Sequence, residues 1–214
     1  MKIKCLCIMF IMLSLSLPTC ADELEILERK FIESKQSLDC QSLEDIDIVK
    51  QHLAAMVDVD KDARKLFIDD INNTKIRKLM KDVDHFHTDH LKAILAVHEW
   101  ISISKFGKEA DHQAWLLVQH ADHDPEFQAN CLSTLEKLWP LKETNSNNYA
   151  YLYDRVASKR DLRQRYGTQA LIKGDQLELL PFEGNLKDLN ERRYEMGLDP
   201  IEEYLKTLKT VYTK

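Results

Sequence analysis

Apolar residues recur along most of this chain at spacings of three and four, a periodicity that an α-helix satisfies and a strand does not. Leu24, Leu27 and Phe31 set one stripe, and Leu53, Met56 and Val57 set a second. From Asp60 to about Lys105 the pattern continues through Leu66, Phe67, Ile71, Ile76, Leu79, Val83, Phe86, Leu91, Ile94, Leu95 and Trp100. The predicted fold class is therefore mainly α, a single-domain helical bundle.

Punctuation between the stripes sets the expected helix ends. Ser42 is the candidate cap of the second helix, and Thr74, after Asn72-Asn73, is the candidate cap of the third. Phe106-Gly107-Lys108 breaks the pattern before a helix carrying Ala110, Ala114, Leu117, Val118 and Ala121. Asp124-Pro125-Glu126 reads as a fresh start, because Asp accepts orphan amide bonds and Pro fits the first helical position. That helix stops near Trp139-Pro140, and helical character resumes from Tyr149 to about Tyr166 after the polar Thr144 to Asn148 loop. Gln169-Ala-Leu-Ile and Gln176-Leu-Glu-Leu-Leu flank Lys173-Gly174-Asp175, which predicts a small β-hairpin near residues 169–180. A last helix is expected from Asp199-Pro200, with Glu202 at capping-box spacing and Tyr204, Leu205 and Leu208 on its buried face.

The amino terminus carries a different signal. Lys2 and Lys4 precede an apolar stretch from Cys5 to Leu17, too short to span a bilayer, so residues 1–21 read as an export signal. Two cleavage readings compete. Thr19-Cys20-Ala21 fits release after Ala21, giving a periplasmic or secreted protein, whereas Leu17-Pro18-Thr19-Cys20 imitates a lipoprotein box that would anchor the chain to a membrane through Cys20. Thr19 fits that box poorly, which favours free release. The rest divides into an amino-terminal helical segment, 22–59, and a helical domain, 60–214.

Loss of the signal removes Lys2 and Lys4 and moves the formal charge from -6 to -8. So acidic a chain argues against a nucleic-acid partner, whose phosphates need clustered Lys and Arg. The basic spots at Lys159-Arg160, Arg163 to Arg165 and Arg192-Arg193 are mostly flanked by acids and read as solvated helix faces. Beyond the signal only Cys40 and Cys131 remain; in an oxidising compartment they are candidates for a disulfide, a question their positions leave open.

Chemistry concentrates in the run Trp115-Leu-Leu-Val-Gln-His-Ala-Asp122, which delivers Gln119, His120 and Asp122 to one helix terminus. A His beside a carboxylate can act as a general base, with Asp122 orienting His120, although a satisfied core histidine and a capping Asp fit the same residues. Arg155, next to Asp154, offers a fork of donors for a carboxylate or phosphate, while Asp154 suits a structural ion pair with Arg192 or Arg193. Tyr166-Gly167-Thr168-Gln169 places hydroxyls and an amide around a glycine that permits close backbone approach. The stretch Asp84-His85-Phe-His87-Thr-Asp89-His90 invites a metal reading, but an exposed face carrying imidazoles explains it as well, and it holds no His-Glu-x-x-His signature. With no cofactor loop or ligand trio in the sequence, neither a cofactor nor a metal is expected.

Trp115 to Asp122, Phe127-Gln128, Ala150-Tyr-Leu-Tyr-Asp-Arg155, Gln164-Arg-Tyr-Gly-Thr-Gln169 and Arg192-Arg193 through Gly197-Leu198 together resemble an uncharacterised bacterial family, a domain of unknown function with a Gln-His-Ala-Asp, Asp-Arg and Tyr-Gly-Thr-Gln signature. The resemblance covers roughly Asp60 to Tyr204 and implies a recurring polar set: Gln119, His120, Asp122, Asp154, Arg155, Tyr166, Thr168, Gln169 and Arg193. It brings no activity with it. Where such relatives often carry Gly before Trp, this chain has His98-Glu99-Trp100-Ile101.

Two functions compete on these residues. One is a non-catalytic helical binding or structural module of the cell envelope, whose polar set clamps helices or takes a peptide or small anionic ligand. The other is a small hydrolase or lyase with His120 as base, Asp122 orienting it, Arg155 and Gln169 binding an anionic group, and Thr168 as a hydrogen-bonding residue or nucleophile. Lacking a defined nucleophile or metal trio, the sequence favours the first.

Overall fold

The computed structural model describes residues 20–38, 42–173 and 176–212. Helix α1 runs Cys20–Leu38, α2 Ile46–Asp69, α3 Thr74–His98, α4 Ile103–Phe106, α5 Lys108–His120, α6 Pro125–Leu138 and α7 Ser146–Lys159. A two-stranded hairpin, β1 Ala170–Lys173 and β2 Gln176–Leu179, precedes α8 Leu186–Glu195 and α9 Ile201–Tyr212. The fold is mainly α with one small antiparallel sheet, paired from Ala170 opposite Leu179 to Lys173 opposite Gln176. Residues 1–19, most of the expected export signal, lie outside the described residues, as does Cys40 and with it the disulfide question; Cys131 is a buried thiol pushed up to about 12 by burial. No helix among the described residues is long and apolar enough to cross a membrane.

Several helix starts are set by residues other than those expected. Asp45, not Ser42, caps α2, accepting from the amides of Asp47 and Ile48 at 2.8 and 3.2 Å. Asn73 rather than Thr74 caps α3, accepting from Lys75 and Ile76. Asp124 does cap α6, with Pro125 at its first position, by accepting from the Phe127 amide at 3.0 Å. The expected Asp199-Pro200-Glu202 capping box does not start α9. Instead Asn190 of α8 accepts from the Ile201 amide at 2.8 Å and donates to Glu202, because the neighbouring helix packs close enough to supply the cap. Helix α7 ends at Lys159, short of the expected Tyr166, and α2 runs unbroken across the division expected at residues 59 and 60.

The apolar stripes close into two clusters. Val49, Leu53 and Met56 of α2, Leu91 and Ile94 of α3, Leu117 and Val118 of α5, Leu135 of α6 and Leu152 of α7 form the larger. Leu27 and Phe31 of α1 join Val59, Ala63 and Leu66 of α2 and Ile76, Leu79 and Val83 of α3 in the smaller. Between them the buried faces of α2 and α3 carry His52, Asp60 and His87 in place of apolar residues. This polar seam runs toward the end of α5, where Gln119 and His120 stand.

At the carboxyl end of α3 the chain turns sharply. Glu99 has φ 58° and ψ -49°, and the Trp100 amide donates to the His98 carbonyl at 2.6 Å, so Glu99 is the central residue of a γ-turn with positive φ. The turn drives the Trp100 ring inward, where its Nε1 donates to the buried carboxylate of Asp111 at 2.9 Å. A side chain with a Cβ is strained in that conformation and glycine is not, although glycine also gains freedom in the unfolded chain. Glu99→Gly is expected to raise stability by about 1 kcal/mol, read as a higher urea midpoint with an unchanged slope. An equal or lower midpoint would contradict the strain.

Candidate functional site

Helix α5 ends at His120, and Ala121, with ψ 44°, turns the chain out of the helix before Asp124 starts α6. The carbonyls left open there are met from α6. Gln128, fully buried, donates its amide to the carbonyls of Val118 and Gln119 at 3.0 and 3.3 Å and to the Asp122 carboxylate at 3.3 Å. Sequence pattern assigns Gln128 no role of its own, although Phe127-Gln128 stands in the motif string.

That turn sends the acidic and basic members of the motif in different directions. Asp122 does not orient His120. Its carboxylate is held by Arg155 Nη1 at 2.9 Å and by Lys159 at 2.8 Å, both on α7. Burial opposes its charge, but the two cations outweigh burial and keep its pKa below the usual carboxylate range. His120 remains on the helix and faces α2, where its Nδ1 lies 2.9 Å from Oδ1 of Asp60. Asp60 is 2% exposed. Burial works against its charge too, yet the hydrogen bond and charge of His120, with Arg64 at 3.3 Å, hold its pKa low.

An open cleft of about 460 Å³ collects the carboxyl-terminal face of this arrangement. Trp115, Gln119 and His120 come from α5, Tyr151 and Arg155 from α7, Thr168 and Gln169 from the segment before β1, and Tyr204 from α9. Of the expected site residues, Gln119, His120, Arg155, Thr168 and Gln169 thus share one space. Trp115, Tyr151 and Tyr204 add an aromatic side to it, with Trp115 and Tyr151 edge to face at 5.9 Å and Tyr151 and Tyr204 at 6.1 Å. No Asp or Glu lines it among the described residues.

The polar tips within the cleft are unequally occupied. Arg155 Nε donates to Gln119 Oε1 at 2.8 Å, which fixes the amide and leaves Gln119 Nε2 buried with no partner among the described residues. Trp115 Nε1, one turn earlier on the same helix stripe, is likewise buried and unpartnered. Thr168 Oγ1 is already committed: it donates to Asp154 at 3.0 Å and accepts from Gln169 at 3.1 Å, so it has no base to make it a nucleophile.

Asp154, Tyr166 and Arg193 are buried and do not line the cleft. Asp154, wholly buried, accepts from the amides of Arg165, Tyr166 and Thr168 at 2.8, 3.1 and 2.9 Å. Collecting those amides is what bends residues 160–168 into a loop in place of the longer helix expected there. The anticipated ion pair of Asp154 with Arg192 or Arg193 is replaced by backbone bonds on both sides. Arg193 is 1% exposed and donates to the carbonyls of Asp199 at 2.6 Å and Tyr166 at 2.7 Å, with its guanidinium 4.8 Å from the Tyr204 ring centre. Arg192 donates to the carbonyls of Arg165 and Glu183. Tyr166 packs edge to face on Tyr153, away from the cleft. Gln164, to which the sequence assigns no role, is fully buried and ties this loop to the hairpin by donating to the carbonyls of Gln169 and Leu180 and accepting from the Gln169 amide.

The histidines of α3 disperse. His85 lies against His123 in a tilted pair with ring centres 3.8 Å apart, His90 Nε2 meets His52 Nδ1 at 3.0 Å, and His87 is buried beside Phe31 and Phe86. Among the described residues no three His, Cys, Asp or Glu side chains are arranged to hold a metal ion. Both ring nitrogens of His87 are buried without partners among the described residues, and burial pushes its pKa down to about 4, so the ring is neutral at pH 7.

That shift has a measurable sign. The unfolded chain, with its histidine near 6.5, takes up a proton that the folded ring refuses, so stability that is complete above pH 6.5 is lost as pH falls toward 4. The loss amounts to about 3 kcal/mol. Asp84, which burial pushes up to about 6 despite its contact with Arg64, acts in the opposite direction as pH falls from 6 to 3.8. Comparison with His87→Phe removes the histidine contribution and keeps that of Asp84. The difference in unfolding free energy between variant and parent should widen in favour of the variant from pH 6.5 to 4; a constant difference would mean that His87 titrates normally.

A family model described as a family of unknown function (DUF6624) matches residues 47–214, which takes in nearly all of α2, everything from α3 to α9 and every residue of the cleft. No curated protein and no solved structure matches the chain. The chain therefore belongs to the family of unknown function DUF6624.

Proposed function

We propose that this protein is a helical binding module whose cleft takes a small ligand bearing an anionic oxygen group, a carboxylate being the simplest. The observation that carries this reading is the pair of buried N–H donors without partners among the described residues, Gln119 Nε2 and Trp115 Nε1, together with the Arg155 guanidinium, which keeps Nη2 open after bonding Asp122 and Gln119, in a cleft whose lining holds no Asp or Glu among the described residues. A buried donor without an acceptor costs about 1–3 kcal/mol, and a ligand oxygen recovers that cost on binding. The aromatic side supplies area for an apolar body joined to the anion. Exported release into the cell envelope, suggested by Lys2, Lys4 and the apolar stretch from Cys5 to Leu17, completes the proposal.

The test uses N-(para-nitrophenyl)succinamate, which joins a carboxylate and an amide carbonyl to an aromatic ring that quenches indole fluorescence. Saturable quenching is expected, with affinity lowered about tenfold or more in Arg155→Leu and by methylation of the probe carboxylate. Absence of saturable quenching, or indifference to both changes, would remove the anionic-ligand reading.

A further inference from the structure

Resting on that binding reading, we propose that the cleft is also a hydrolytic site, in which His120 Nε2 is the general base for attack of water on an acyl ester whose acyl half carries the carboxylate, and Asp60 is the residue that positions the imidazole. The pairing that supports this joins α2 to α5 across 60 residues of sequence, with His120 Nδ1 2.9 Å from Oδ1 of Asp60. An ionised carboxylate only accepts, so in the neutral ring the contact places the proton on Nδ1 and leaves the lone pair of Nε2 free. Nε2 has no partner among the described residues, and His120 lines the cleft with its side chain 23% exposed. A wholly structural pair would close both ends of the ring. Here one end is buried against a carboxylate and the ring lines the open cleft.

Behind the pair, Arg64 contacts both Asp60 and Asp84, and His87 stands neutral on the neighbouring turn of α3. These are the charged and titratable groups facing the pair from α2 and α3. Arg64 also contacts Asp60, at 3.3 Å, and shares itself with Asp84, so the shorter contact to Asp60 is the one from His120. The donors of the binding reading have a second use here. Gln119 Nε2 and Trp115 Nε1 lie just beneath the surface on the α5 stripe next to His120, where a side-chain shift turns them to an oxyanion as it forms, while Nη2 of Arg155, left over from its bonds to Gln119 and Asp122, holds the carboxylate. Direct attack by water follows from the side chains present, since Thr168 is bound to Asp154 and Cys131 is buried away from the cleft.

The step balances without any oxidant or further reactant. His120 Nε2 takes a proton from water as the water oxygen bonds to the ester carbonyl carbon, and the carbonyl electron pair moves to oxygen. Collapse of that oxyanion breaks the bond to the alkoxy oxygen, which leaves as an alcohol with the proton returned from Nε2. The acid product releases the remaining water proton to solvent and departs as a second carboxylate.

The experiment pairs para-nitrophenyl hemisuccinate, followed by release of nitrophenolate, with quenching by the unreactive N-(para-nitrophenyl)succinamate. Saturable turnover above buffer is expected, lowered roughly 100-fold or more in His120→Gln while the anilide still binds within about threefold of the parent. Asp60→Asn should lower kcat by about the same factor with little change in KM, because it alters the tautomer and not the ligand contacts. Nitrogen NMR of the unmodified protein, which needs no variant to fold, should show the neutral His120 ring protonated at Nδ1. Binding of the anilide with no ester turnover, equal rates for the parent and His120→Gln, or a ring protonated at Nε2 would each overturn the hydrolytic proposal and leave binding standing. Failure of the anilide to bind would overturn the binding reading itself.

Discussion

Asp154→Ala should lower the unfolding free energy by about 4 kcal/mol and the melting temperature by roughly 10 °C, the largest loss expected from any single substitution in the cleft region. The carboxylate is fully buried and receives three backbone amides and one hydroxyl, from Arg165, Tyr166 and Thr168. Alanine removes every acceptor at once and strands those amides where water does not reach, at about 1–3 kcal/mol for each donor that cannot find a new partner. Asp154→Asn keeps one acceptor oxygen but turns an amide toward donors, so it should fall between alanine and the parent. Urea unfolding followed by far-ultraviolet circular dichroism measures all three. A loss below about 1 kcal/mol for alanine would show that the loop rearranges freely and that Asp154 does not organise it.

Arg193→Met is expected to cost about 3 kcal/mol by stranding the opposite set of backbone groups. Its guanidinium donates to the carbonyls of Tyr166 and Asp199 and lies under the ring of Tyr204, and burial lowers its pKa by penalising the charge. Met keeps much of the apolar stem, so the loss reports the polar contacts. Arg193→Lys should recover less than half, because one ammonium cannot reproduce the planar fork. Asp154 and Arg193 grip the same short segment from its two polarities, one by its amides and one by its carbonyls. Their effects should therefore fall short of additivity by at least about 0.5 kcal/mol in a double-mutant cycle. Both variants should also weaken succinamate binding, since Thr168, Gln169 and Tyr204 reach the cleft from the elements these two residues hold.

Much of the architecture is legible in local pattern. The longer helices bury stripes that their own spacing marks, as with Leu53 and Met56 of α2 or Leu117 and Val118 of α5, whereas the short α4 and the highly charged α8 carry no such stripe and are not predicted. Asp124-Pro125 starts its helix as capping chemistry requires, and the hairpin forms where turn residues separate a pair of short β-like runs. Caps are ambiguous where several polar candidates lie close together, Ser42 against Asp45 and Asn73 against Thr74, because a shift of one to three residues leaves the apolar period intact. Glu99 shows the reverse case: nothing in its residue type marks a turn with positive φ, and only the structure reveals it.

The site divides along the same line. Residue type and order mark Gln119, His120, Arg155, Thr168 and Gln169 as candidates, and all five line one cleft. They do not reveal that Asp122 serves Arg155 and Lys159, that Asp154 and Arg193 are buried and do not line the cleft, or that the carboxylate behind His120 is Asp60. By itself the sequence determined the longer amphipathic helices, their buried stripes and the polar types gathered at the end of α5, because helical period and side-chain chemistry act over a few neighbouring residues. Only the tertiary structure decided which partner each polar group takes, because a buried charge is satisfied by whatever donor or acceptor packing brings within about 3 Å, however far along the chain it lies.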